Sequence, residues 1–235
     1  MTAGPGTSSR LERRKAQTRG KLIAAARSML AEGTAQQASI QEITDAADVG
    51  FGSFYNHFAT KAELFEAAVT DVLEETGALL DGLGTDTEDP AVTFARSVRL
   101  AARLIRARPE VARILVAHGM PYMDSPEGLG PRALRDIMAG VEAGRFQVTN
   151  MKLALATIAG SLLGTLHLAL TDPAFDNDDA CDQLAEQLLR MLGLTAAEAQ
   201  ELATTPLPVI SGTSQRDPAV AAGLHREAAR PQPPR

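Results

Sequence analysis

The chain has 235 residues, 45% of them apolar and 22% charged, with a formal net charge of −6. That apolar share excludes wholesale disorder. The single cysteine, Cys181, excludes an intrachain disulfide framework and a thiolate zinc site. An acidic balance argues against nucleic acid as a partner, but the charge is unevenly placed. Residues 1–61 hold eight Lys and Arg against five Asp and Glu, a net +3, which leaves −9 on the rest. Residues 1–21 alone carry +5 and show no signal-peptide pattern, so a cytoplasmic protein is expected.

Residues 1–9, MTAGPGTSS, read as a flexible arm. From Arg10 to Glu32 the apolar positions Leu22, Ile23, Ala26, Met29 and Leu30 recur at helical spacing, and Gly33 stops that helix. Ser39 and Glu42 make a capping box for a short helix with Ile40, Ile43 and Ala47 on one face. Asp48 sits where the chain must turn. Residues 51–58 predict a second short helix, with Phe54 and Phe58 pointing inward. Thr60 and Glu63 make a second capping box, opening a long helix that runs to about Leu83.

After a loop at 84–89, Asp89-Pro90 starts a helix carrying Phe94, Val98, Ala101, Ala102 and Ile105. Further helices are predicted from Pro109 to about Gly119, over 131–144, 149–171 and 178–192, with a short one near 195–203. Strand signals are nearly absent, so the class is all-α. The Pro-rich tail, 204–235, is expected to be disordered. Residues 153–170 are uncharged and reach the lower edge of membrane-spanning length. Their Ser, Thr, Gly and His content favours a helix buried in a core or a subunit interface, with no membrane association.

Two short helices joined by a tight turn and followed by a long helix make a helix-turn-helix, whose second helix enters the DNA major groove. Ile40, Ile43, Ala47, Val49, Phe54 and Phe58 form its internal apolar set, leaving Gln41, Gly50, Phe51, Ser53 and Asn56 outward. Gln and Asn amides suit adenine edges, Ser either kind of base, and an aromatic ring a thymine methyl. Tyr55, His57 and Lys61 suit phosphates, as do the free amides behind Ser39 and Thr60. The basic stretch Arg10 to Lys21 is expected to touch the backbone or the minor groove.

The stretch from Ile43 to Leu64, with Tyr55, His57, Phe58 and Lys61 at its centre, resembles the signature of the TetR family of transcriptional regulators. The likeness covers about residues 16–68. It implies a homodimer, a two-fold symmetric double-stranded DNA operator and a small-molecule effector. Two positions depart from the family pattern. Asp48 stands where Gly is frequent, and Gly50 and Gly52 replace residues that more often carry side chains. Asp tolerates left-handed backbone, so the turn should survive.

Domains are therefore expected at 10–61 for DNA binding and 62–203 for ligand binding and dimerisation. Subunit-interface candidates are Leu155, Ile158, Leu162 and Leu166 in one apolar helix and Leu184, Leu188 and Met191 in the next. Effector-contact candidates are Phe94, Arg103, His118, Tyr122, Met138 and His167. No catalytic triad, phosphate loop or metal-ligand motif is present, so no enzyme activity, cofactor or metal is expected. Asp176-Asn177-Asp178-Asp179 reads as a helix cap. The expected function is a ligand-released repressor on a palindromic operator. The alternative is an all-helical protein-interaction adaptor without DNA binding.

Overall fold

A computed structural model of the chain describes residues 10–82 and 89–207. The arm at 1–9 and the tail beyond residue 207 fall outside these. Within the described residues every regular element is helical. The helices are α1 (Arg10–Glu32), α2 (Ile40–Ala46), α3 (Phe51–Phe54), α4 (Lys61–Gly82), α5 (Pro90–Arg106), α6 (Pro109–His118), α7 (Leu129–Glu142), α8 (Met151–Thr171), α9 (Asp178–Met191) and α10 (Ala196–Thr204). Two 3-10 turns that local spacing did not signal, Met120–Tyr122 and Pro173–Phe175, each carry a Pro in their first two residues.

Local chemistry sets most helix starts. Ser39 and Glu42 close a reciprocal capping box on α2. Asp89, Asn150, Asn177 and Thr195 each accept a backbone N–H at the start of α5, α8, α9 and α10. The second predicted box is shifted by one residue. Thr60 Oγ1 accepts from Glu63 N at 3.1 Å, but the Glu63 carboxylate accepts from Ala59 N, at 2.7 Å, instead of Thr60 N. Asp48 adopts φ 50°, the left-handed turn expected of it. The helix predicted over 51–58 is α-helical only to Phe54. Tyr55, Asn56 and His57 continue as a tight turn, with His57 N donating to the Phe54 carbonyl at 2.9 Å. Gly52 inside it lowers helix propensity, in keeping with so short an element.

Two cores hold the molecule. The first joins Leu22, Ile43, Phe54, Phe58 and Leu64 of the N-terminal helices to Ile105, Ile114 and Leu115 of α5 and α6. The second gathers Phe94, Ile137, Phe146, Leu184 and Leu189 from α5, α7, α9 and the α7–α8 connection. The N-terminal helices thus pack onto α6 through one continuous apolar layer. At Gly140 on α7 an added Cβ would fall 2.0 Å from the Phe146 ring, so glycine is required for that ring to lie flat on the helix.

Candidate nucleic-acid interface and effector cavity

In the helix-turn-helix, Ile43, Ala47, Phe54 and Phe58 are buried, while Ile40 and Val49 are half-buried at its edge. Phe51 is 48% and Tyr55 55% exposed, and their rings meet edge to face at 6.0 Å. Two large aromatics left in solvent, one on four-residue α3 and one at its C-cap, form a platform that the protein's own core does not need. Gly50 and Asn56 are exposed beside them, and Ser53 is half-buried. Gln41 is exposed, and its amide donates to Asp45 Oδ1 at 2.7 Å. Reading a base would require that contact to open or to be shared.

Two positively charged side chains of α1 stand near the end of this segment. The Arg19 guanidinium lies 5.0 Å over the Phe58 ring. Partial burial, with Lys15 and Arg19 nearby, pushes the His57 imidazole below its ordinary pKa. Lys61 is engaged elsewhere. Its ammonium donates to the carbonyls of Gln36 and Ala38, at 2.8 and 2.9 Å, and so ties the α1–α2 loop to the start of α4. An ammonium has three donors, so two carbonyls leave one for a phosphate. Ser39 Oγ accepts from Glu42 N and donates to Glu42 Oε2, as a cap does.

A cavity of about 480 Å³ opens between α4, α5, α7 and α8. Its apolar walls include Phe94, Val98, Leu129, Ile158 and Leu162, and its polar groups include Asp81, Ser97, Arg132 and Asp136. Asp136 is buried at 7% exposure, and its carboxylate accepts from Arg135 Nε at 3.2 Å. Arg132 lies across Gly77 of α4, where any Cβ would collide with its guanidinium. It donates to Asp81 at 2.6 Å, to Glu74 at 3.1 Å and to the Gly128 carbonyl at 2.6 Å. The Glu74 and Asp81 carboxylates raise its pKa further.

Of the six effector-contact candidates, Phe94 lines this cavity and the other five lie elsewhere. Arg103 pairs with Asp178 and Asp182 on α9. Tyr122 packs against the N-terminal core, and His118 ends α6 beyond the cavity. Met138 and His167 point to solvent. The cavity's polar groups Asp81, Arg132 and Asp136 are not among the six. Asp136 had a local signal, since it interrupts the apolar stripe of Ala133, Ile137 and Gly140 on α7. Asp81 and Arg132 had none, because helix pairing alone brings them together.

Five of the seven interface candidates, Leu155, Ile158, Leu166, Leu184 and Leu188, are buried within the chain. Leu162 is half-buried, and Met191 is 39% exposed. The outward face of α8 instead carries Leu153, Thr157, Gly160, Gly164 and Leu168. By length and composition α8 could cross a membrane, and few of its residues are buried inside one chain, so it is not the fully buried core helix that its composition suggests. Among the described residues no three His, Cys, Asp or Glu are grouped to hold a metal. Asn177 caps α9, and Asp176 and Asp178 pair with Arg106.

Two family models match. Residues 22–68 match "Bacterial regulatory proteins, tetR family", and residues 89–205 match "Tetracyclin repressor-like, C-terminal domain". No curated protein matches the chain. Among solved structures, RolR in complex with resorcinol is 37% identical over 85% of this chain and 100% of its own, with a TM-score of 0.67. Ligand-free RolR is 36% identical over 82% of this chain and 100% of its own, also at 0.67. The fatty acid degradation regulator FadR of Bacillus halodurans shares the fold, at 19% identity over 80% of this chain and 97% of its own, with a TM-score of 0.61.

Proposed function

Since the chain belongs to the TetR family of bacterial transcriptional regulators, we infer that it is a homodimeric repressor released from a palindromic operator by a small hydroxylated aromatic effector. Family membership favours this regulator over the adaptor alternative. The exposed Phe51 ring, with Gly50, Asn56, Ser53 and Gln41, supplies the base-reading surface. Tyr55, His57, Lys61 and the capped amide ends behind Ser39 and Thr60 hold phosphates.

The observation that carries the effector assignment is the buried Asp136 carboxylate in a cavity with apolar walls. A neutral ring with two hydroxyls fits about 480 Å³ with room to spare. Its hydroxyls would donate to Asp136 and Asp81, and its ring would lie against Phe94, Val98 and Ile158. Arg96, Arg132 and Arg135 stand beside the two carboxylates in the lining, so its charges are nearly balanced and suit a neutral ligand with polar groups. RolR, whose structure holds resorcinol, supports the same ligand class.

The cavity and the DNA-reading unit share α4. Leu80 and Asp81 line the cavity near its C-terminal end. Asp71 and Glu75, further back on α4, pair with Arg27 of α1 at 3.0 and 2.8 Å, and Glu75 also takes Arg108 at 2.6 Å. A ligand that shifts Arg132 against Asp81 and Glu74 would tilt α4 and carry α1 with it. Two recognition elements must sit about 34–36 Å apart to fit successive major grooves. A coupling of about 1–3 kcal/mol suffices to shift that spacing. The second copy would cover the outward face of α8 with its own, the small Gly160 and Gly164 permitting close approach.

Titration of the full-length protein with resorcinol, with and without duplex DNA from upstream of its own gene, tests this reading. Resorcinol should bind and should weaken the DNA complex. DNA binding that resorcinol leaves unchanged would reject the effector class.

A further inference from the structure

The first three turns of α1 stand outside both cores. Residues 10–21 are exposed except for half-buried Thr18, Leu11 is 76% exposed, and the buried positions of α1 begin at Leu22. The family model likewise begins at residue 22. This segment carries Arg10, Arg13, Arg14, Lys15, Arg19 and Lys21 against one acid, Glu12. Among the described residues only Lys21 of these six forms an ion pair, with Asp48 of the helix-turn-helix at 3.0 Å.

Helical spacing sorts five of the six cations into two rows, with Arg13 beside the first. Arg10 and Arg14 share one face with Lys21, and Lys15 and Arg19 share another. The second row abuts the recognition segment: Arg19 lies over Phe58, and both cations act on His57. Like charges four residues apart destabilise a helix, and a stretch this short gains no burial in exchange. Both penalties fall if anions line the helix.

We propose that residues 10–21 form a rigid basic rail that lies along the phosphate backbone beside the half-site read by α2 and α3. This deepens the DNA-binding reading and rests on it. Geometry selects the backbone over the minor groove. An α-helix is about 10–12 Å across and the minor groove about 6 Å wide, so the helix cannot enter it. The twelve residues span about 18 Å, the length of roughly five phosphates on one strand. Lys15 and Arg19 form the inner contacts next to His57, and Arg10, Arg13 and Arg14 extend the footprint outward.

The test uses full-length protein and a long mixed-sequence duplex, with affinity measured by fluorescence anisotropy between about 50 and 200 mM salt. The variant combining Arg10→Gln, Arg13→Gln, Arg14→Gln and Lys15→Gln removes charge without touching a core. It should flatten the slope of log affinity against log salt by about 2–3 units, at about 0.9 per phosphate lost. A second variant, Gln17→Pro, keeps every charge and breaks the helix. The rail should then bind severalfold more weakly. An unchanged slope in the charge variant overturns the proposal. A flattened slope with full affinity in Gln17→Pro overturns the rigid rail in favour of a flexible arm. Failure of the native chain to bind duplex DNA rejects the DNA-binding reading, and the rail with it.

Discussion

Lys61 at the head of α4 donates to the carbonyl of Ala38, 2.9 Å away, the residue just before the Ser39 cap. The same ammonium reaches Gln36, so one side chain fastens the loop that orients α2. Lys61→Ala should therefore act twice. It should destabilise the fold by about 1–2 kcal/mol, because charged hydrogen bonds are lost, and flatten the salt slope of DNA binding by about one unit. Urea unfolding checks the first effect and a salt titration the second. An unchanged midpoint would remove the structural role, and an unchanged slope the phosphate role.

The cavity predicts which substitutions silence the effector. Asp136→Asn should weaken resorcinol binding by roughly 10–100-fold, the value of a hydrogen bond to a charged group. Ala133→Phe should fill the space and abolish binding. Neither residue lies near α3, so calorimetry should show the loss while DNA affinity stays near native.

Outward and inward leucines on α8 and α9 should behave differently. Leu153→Arg with Leu168→Arg should yield monomers by light scattering and weaken operator binding, because both side chains are exposed in one chain. Leu184→Ala should leave the assembly dimeric and cost about 2–5 kcal/mol of stability, because that side chain is buried in its own core. A dimer that survives the paired arginines would place the subunit contact elsewhere.

His57 gives a pH signature whose sign follows from its surroundings. Burial and the Lys15 and Arg19 charges lower its pKa, so the free protein holds it neutral at pH 7. Below about 6.5 the unfolded chain binds the proton first. Stability from this group is thus lost as pH falls through that value. A phosphate alongside would raise the bound pKa, so DNA binding takes up a proton and strengthens as pH drops. His57→Gln should flatten both trends, and an unaltered affinity–pH profile in that variant would remove His57 from the interface.

Gly140 should tolerate no side chain. Its missing Cβ leaves room for Phe146, which is 4% exposed and stacks edge-on against Phe94 at 5.5 Å. Gly140→Ala should cost about 1–3 kcal/mol through overpacking. Since Phe94 also lines the cavity proposed for the effector, the variant should weaken resorcinol binding more than its loss of stability alone accounts for.

What could be read from residue order was what neighbours along the chain decide. The Ser39–Glu42 box, the Asp48 turn, the Pro and Asn caps and the apolar period of α1 and α5 are local. They defined the helices and the helix-turn-helix without reference to anything distant. The charge split at residue 61 was legible for the same reason. What only tertiary structure decided was which side of an apolar helix faces home. Residues 149–171 are apolar nearly all round and so carry no period. Nothing in their order separates buried Leu155 from Leu153, which is 64% exposed. The cavity shares that origin. Asp81 and Arg132 are 51 positions apart, and α7 packing against α4 makes them neighbours. Burial among distant helices likewise turns Asp136 from one acid among 29 into a buried carboxylate in the cavity lining.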